Sequence, residues 1–211
     1  VCGDLLDERG HHAAVCKVGG GVEFGHDAIR DWLAWWIEET TSRHTQTEVF
    51  VGAWDAVVQA KDEQGRPRTD ESGAPVLIPE HARLDVAFID CQQRRCFVDV
   101  VVATASSTSQ VLRAARASDA GAAARSAVRA KRARYRPEQN PGAILIPFAV
   151  EALGRLSDEA LGLIRSVVPS AESIGQGARS KEIQAALQTL SVLVQTRHSE
   201  LLLSAEVSRF S

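Results

Sequence analysis

The chain of 211 residues contains no methionine and one tyrosine, and aromatic residues make up 5% of it. No apolar run approaches the ~20 residues of a membrane-spanning helix, which excludes a transmembrane segment of that kind. It opens Val1-Cys2-Gly3, without the charged-then-apolar pattern of a secretory signal, so it reads as a fragment or a processed piece. With 4 cysteines and no such signal, reduced thiols or metal ligands are expected rather than disulfides. Neither charge sign dominates: 24 Lys+Arg against 27 Asp+Glu give a net charge of -3, which argues mildly against a chain wholly devoted to coating nucleic acid. What is present is apolar substance. A hydrophobic fraction of 45% can bury a core, which excludes disorder throughout.

The order of patterns is mixed. After Gly19-Gly20-Gly21, the residues Ile29, Trp32, Leu33, Trp36 and Ile37 recur as one face of a helix over His26 to Glu39. A strand is expected over Glu48 to Trp54, then a polar, Gly/Pro-punctuated surface loop from Lys61 to Pro79. Two β-branched runs, Arg83 to Ile89 and Phe97 to Val102, read as a hairpin about the polar Cys91-Gln92-Gln93-Arg94-Arg95. An Ala/Arg-rich helix is expected over Ala114 to Tyr135, with a break near Gly121, followed by a buried strand over Ala143 to Val150. Ser157-Asp158-Glu159 caps a helix to about Val168, and a further helix covers Ser180 to Ala205. This predicts an α/β fold with a central mixed β-sheet flanked by helices, ending in C-terminal helices. The expected division is 1–20 as a metal-knuckle-like segment, 21–155 as the core and 156–211 as a helical extension.

The chemistry concentrates on the hairpin. If its loop is Cys91 to Gln93, Asp85 faces Asp99, with Cβ atoms ~5 Å apart, and like charges so opposed need neutralising. A divalent cation such as Mg²⁺ or Mn²⁺ would do so, because it takes oxygen ligands and retains open positions. The plainer alternative is a different pairing that leaves one acid in solvent. Neither acid has an evident Lys or Arg opposite it. The position two beyond Asp99 is Val101, so a cation that positions the attacking water must come from elsewhere. Ala124, Val128, Lys131 and Tyr135 share one helical stripe, which aims Lys131 at the sheet. The neighbouring stripe, Arg125, Arg129, Arg132 and Arg136, is wholly basic, and with Arg134 it suits phosphate contacts or is simply a solvated face. Cys2, His11 and Cys16, spaced C-x8-H-x4-C, offer three ligands to Zn²⁺ or are unligated thiols and imidazole. Cys91 and Cys96 are expected to be ordinary residues at strand ends. His26-Asp27 either opens the tryptophan-rich helix as an N-terminal signal or stands beside the acidic pair, and the tryptophans are expected to pack in the core rather than stack on bases.

The succession Cys2-Gly3, Gly10-His11-His12-Ala13-Ala14-Val15-Cys16, His26-Asp27, Arg83-Leu84-Asp85, Asp99-Val100-Val101 and Lys131-Arg132-Ala133-Arg134-Tyr135 resembles a known family. It is similar to the restriction-endonuclease-like domain of site-specific non-long-terminal-repeat retrotransposon polyproteins, within the PD-(D/E)xK nuclease superfamily. The likeness runs from Cys2 to about Arg155, with Gly25 where a basic residue is usual and Leu84 in place of a proline. It implies a metal-dependent endonuclease that nicks DNA to prime reverse transcription by an upstream polymerase acting on an RNA template, in the nucleus. By position, Asp85 and Asp99 would hold the metal. Lys131 and Tyr135 would be the displaced lysine and tyrosine of the following helix, and His26 and Asp27 a basic-His-Asp element. Two alternatives stay open: an inactive nucleic-acid-binding remnant of such a domain, and a helical partner-binding module.

Overall fold

The structure, a computed structural model, describes residues 21–62, 65–103, 119–152 and 154–207. Helix α1 (Gly21–Thr41) precedes strand β1 (Thr45–Phe50), a 3-10 turn at Gly52–Trp54, and strands β2 (Ala56–Gln59), β3 (Leu77–Glu80), β4 (Arg83–Ile89) and β5 (Arg95–Ala103). Helix α2 (Ala122–Arg134) leads to strand β6 (Ala143–Glu151), and helices α3 (Asp158–Val167), α4 (Ala171–Ile174) and α5 (Gln176–Val207) follow. The fold is mixed α/β: one sheet has the order β1-β4-β5-β6, with antiparallel, antiparallel and parallel neighbours.

The apolar runs of β5 and β6 are continuous because both faces of the sheet are covered. On one face Val98, Val100, Phe148 and Val150 pack with Ile29, Leu33 and Ile37 of α1, Leu163 and Ile164 of α3, and Leu190 of α5. The C-terminal helices therefore share the core of the sheet. On the other face Ala124 and Val128 of α2 meet Ala149, while Trp54, Leu84, Phe97 and Tyr135 form a second cluster. Trp54 is fully buried, its ring edge-on to Phe97 and its indole N–H donating to the Arg136 carbonyl at 2.9 Å. Trp32 and Trp36 stack on one another, and Trp35 faces solvent.

Several boundaries follow from single residues. Gly121 adopts a left-handed φ of 85°, where a side chain is strained, and the helix starts directly after it. The Ser157 hydroxyl accepts the Ala160 N–H and caps α3. The β4–β5 turn is closed by Asp90, whose Oδ1 accepts the N–H groups of Gln92 and Arg94, with Gln93 in the left-handed region at φ 61°. The sheet then pairs Ile89 with Arg95 through Val86 with Val98, in the register expected from a loop of Cys91 to Gln93.

Three expectations need correction. The strand placed at Glu48 to Trp54 lies earlier, because the chain turns at Gly52–Trp54 to bury the indole. The segment from Lys61 to Pro79 is exposed, as expected, but not without order. β2 and β3 pair as a ribbon, bridges join Lys61 to Pro67 and Thr69 to Pro75, and the Asp62 and Asp70 carboxylates accept backbone N–H groups at the turns. His26 and Asp27 do not open α1, which starts at Gly21, so Asp27 is not an N-terminal capping residue.

Candidate active site

The ladder between β4 and β5 gives out at Val86↔Val98, and the candidate site lies where it does. Leu84 and Val86 are two residues apart, which puts them on one face of a regular strand, yet they belong to the clusters on opposite faces of the sheet. β4 is thus distorted at Asp85, and the Asp85 carboxylate takes up a backbone donor that the ladder leaves free, accepting the Val100 N–H at 2.6 Å. Asp99 is the next residue of β5 beyond the last pair, close enough to Asp85 that the charge of each acid acts on the other. The two acids that the hairpin register sets opposite each other do meet.

The cations that neutralise them do not stand opposite them on the strand pair but come from helices, and both, His26 and Lys131, are among the candidates read from the sequence. The His26 Nε2, on α1, is 3.2 Å from Asp85 Oδ2, and Lys131 Nζ, on α2, is 2.7 Å from Asp99 Oδ2. The cations approach from opposite faces of the sheet, which is why a reading along one strand pair cannot find them. Side-chain exposures of 10% for Asp85 and 5% for Asp99, against 28% and 30% for His26 and Lys131, describe buried acids beside partly exposed cations.

Burial and proximity split the acids. For Asp85, burial pushes the carboxyl upward, but His26 and the Val100 N–H outweigh it and hold the group below its ordinary range. Asp99 is raised to about 6, by burial first and by the Asp85 charge, against the opposing pull of Lys131. The pair therefore ionises in two steps, Asp85 before Asp99. His26 is raised to about 9 by its hydrogen bond to Asp85, with Asp27 assisting at 3.2 Å from Nδ1, so it is an imidazolium at neutral pH. Tyr135 packs against Trp54, and burial followed by the Asp99 charge pushes its phenol up to about 12. It stays a neutral hydroxyl.

Asp85 and Asp99 are the carboxylates that could hold a divalent cation, and the buried Asp99 Oδ2 has Lys131 Nζ at 2.7 Å as its ion-pair partner. Among the described residues no three His, Cys, Asp or Glu side chains converge on one point, but Mg²⁺ needs only one or two carboxylates, completing its shell with water and phosphate oxygens.

The arginine stripe is less available than its spacing suggests. Arg125 pairs with Asp119, Arg132 with Glu159 at 2.9 Å, and Arg134 with Glu80 at 3.1 Å. Arg134 also donates to the Trp54 carbonyl at 2.6 Å and lies over the Tyr135 ring. Acids on other elements or in the turn before α2 thus pair with three of the five arginines, and Arg129 and Arg136 face solvent. Cys91 lies exposed in the turn and Cys96 buried in β5, both free thiols. Cys2, His11 and Cys16 lie outside the described residues.

Sequence reasoning missed Arg30 and Glu48. Arg30 stands four residues from His26 on the same helix, a spacing that could have flagged it, whereas no sequence signal marks Glu48. No family model matches the chain, and no curated protein matches it significantly.

Proposed function

We propose that this domain is a metal-dependent DNA endonuclease, a phosphodiester hydrolase of the restriction-endonuclease-like kind associated with non-long-terminal-repeat retrotransposons. The observation that carries the reading is the meeting of Asp85, Asp99 and Lys131 at the break in the β4–β5 ladder. Asp85 and Asp99 would hold Mg²⁺ or Mn²⁺, which supplies charge stabilisation to a phosphoryl group in transfer. Lys131, partly open to solvent, orients an attacking water and offsets the charge that develops on the phosphate. His26 holds Asp85 ionised and ready to ligate. Tyr135 keeps its proton and offers a neutral donor beside the acids. Arg129 and Arg136 are the solvent-facing cations for phosphate contacts, which predicts binding that weakens steeply with salt. The family likeness extends the reading to nuclear DNA, an RNA template copied by an upstream polymerase and Zn²⁺ at Cys2, His11 and Cys16.

A second reading, an inactive nucleic-acid-binding remnant, is favoured by one observation: His26 and Lys131 already neutralise the acids that a metal would otherwise have to neutralise. Supercoiled-plasmid nicking with Mg²⁺ or Mn²⁺ at low salt separates the two. The nuclease reading expects nicking that disappears in Asp99→Ala and Lys131→Ala. Equal background in all three proteins, with salt-sensitive DNA binding retained, supports the remnant.

A further inference from the structure

Resting on the reading of Asp85 and Asp99 as the reacting centre, we infer that Arg30 and Glu48 are positioning residues that fix the His26 imidazole onto Asp85 through Asp27. The chain of contacts is continuous. Glu48 Oε1 accepts from Arg30 Nη1 at 2.5 Å, the same nitrogen donates to Asp27 Oδ1 at 2.9 Å, and that oxygen lies 3.2 Å from His26 Nδ1. The other imidazole nitrogen lies 3.2 Å from Asp85 Oδ2.

Two features separate this chain from ordinary surface ion pairing. Arg30 is only 15% exposed, and it uses its fork fully where it matters: Nε binds Asp31 at 2.8 Å while Nη1 bridges Asp27 and Glu48. A lysine carries the charge but not the planar fork. Glu48, in turn, occupies a left-handed backbone conformation at φ 58°, uncommon for a residue with a long side chain. It sits in β1 between the pairs Thr47↔Val86 and Val49↔Leu84, on the rung opposite Asp85. Both strands are thus irregular at the level of the site. Arg83 binds the second oxygen of Glu48 at 2.8 Å, so the carboxylate is held from both sides. Strained backbone of this kind is kept where the surrounding structure over-determines it, and here it delivers a carboxylate to the guanidinium that aligns Asp27.

The test is ¹⁵N NMR of the His26 ring in metal-free protein at neutral pH, with the signals assigned by their loss in His26→Gln. In the wild type both ring N–H groups are held by carboxylates, and the Nδ1–H exchanges slowly with solvent. In Arg30→Lys and in Glu48→Gly the Nδ1–H exchanges about tenfold faster or its signal is lost. Glycine accepts φ 58° without strain, so Glu48→Gly removes the carboxylate and its two ion pairs at a modest cost in melting temperature, and it carries the test where Arg30→Lys fails to fold. Ring signals unchanged in a folded Glu48→Gly protein would overturn the inference. Because the readout needs neither DNA nor metal, an absence of plasmid nicking refutes the nuclease reading and leaves this result standing.

Discussion

The two ends of the β4–β5 hairpin each carry an aspartate beside a cation, and they put this chemistry to opposite uses. At the turn, Asp90 accepts two backbone N–H groups and the Arg94 guanidinium at 2.7 Å, and these outweigh its burial so that its carboxyl is held below the ordinary range. On balance the ionised Asp90 favours the fold. At the other end Asp99 is buried, faces a second acid, and is raised to about 6 despite Lys131 at 2.7 Å. Its ionisation opposes the fold. The difference lies in surroundings rather than residue type: backbone donors and an open rim stabilise charge at the turn, whereas burial and a like-charged neighbour work against it at the site. A buried acid that destabilises its own protein is expected where function requires it.

The largest expected effect is on cleavage. Lys131→Ala should slow plasmid nicking by about 10²–10³, the range for loss of a positioned proton-transfer or charge-stabilising group, with DNA binding changed far less. Next comes the pH dependence of stability. The folded pKa of His26 is raised to about 9, so its contribution is complete below the ordinary value of 6.5 and is lost as pH rises through 9. Metal-free unfolding in urea should therefore show stability falling by about 3 kcal/mol across that window, a fall that His26→Gln removes. Asp99 acts in the same direction at lower pH, its destabilisation developing between its ordinary value of 3.8 and about 6. Asp90 acts in reverse: its contribution is present above 3.8 and is lost as pH falls through its lowered value. The smallest effect belongs to the turn. Asp90→Ala should cost about 1 kcal/mol in urea unfolding, from the lost N–H acceptors, and leave nicking unchanged. A loss of nicking there would break the contrast between the two ends.

The sheet was legible where one residue decides the geometry. The β-branched runs and the three-residue loop gave the β4–β5 register, the break expected near Gly121 falls where α2 starts, and Ser157 capped α3. The stripe Ala124, Val128, Lys131 and Tyr135 aimed Lys131 correctly, because helical periodicity survives even in an arginine-rich sequence. What local pattern could not supply was anything set by tertiary approach. β2 and β3 are short and pair with each other across the excursion between them, so β2 drew no assignment and Leu77 to Pro79 of β3 read as loop. The partners of Arg125, Arg132 and Arg134 lie on other elements or in the preceding turn, so the helical spacing showed the basic residues but not the acids that pair with them. The place of His26 beside the acidic pair was one of two alternatives open in the sequence, but the irregularity of β4 at Asp85 was not, because no alternation pattern announces a distortion.

The most direct test of the account compares Asp99→Asn with Asp90→Asn in urea unfolding at pH 8 without metal. At the site, the amide removes a disfavoured charge and can donate to Asp85, while Lys131 is free to turn to solvent. The account predicts that Asp99→Asn is more stable than the wild type by about 2 kcal/mol and Asp90→Asn less stable by under about 1 kcal/mol. Destabilisation by both substitutions would contradict it, and would make Asp99 a structural partner of Lys131 like any other ion-paired acid.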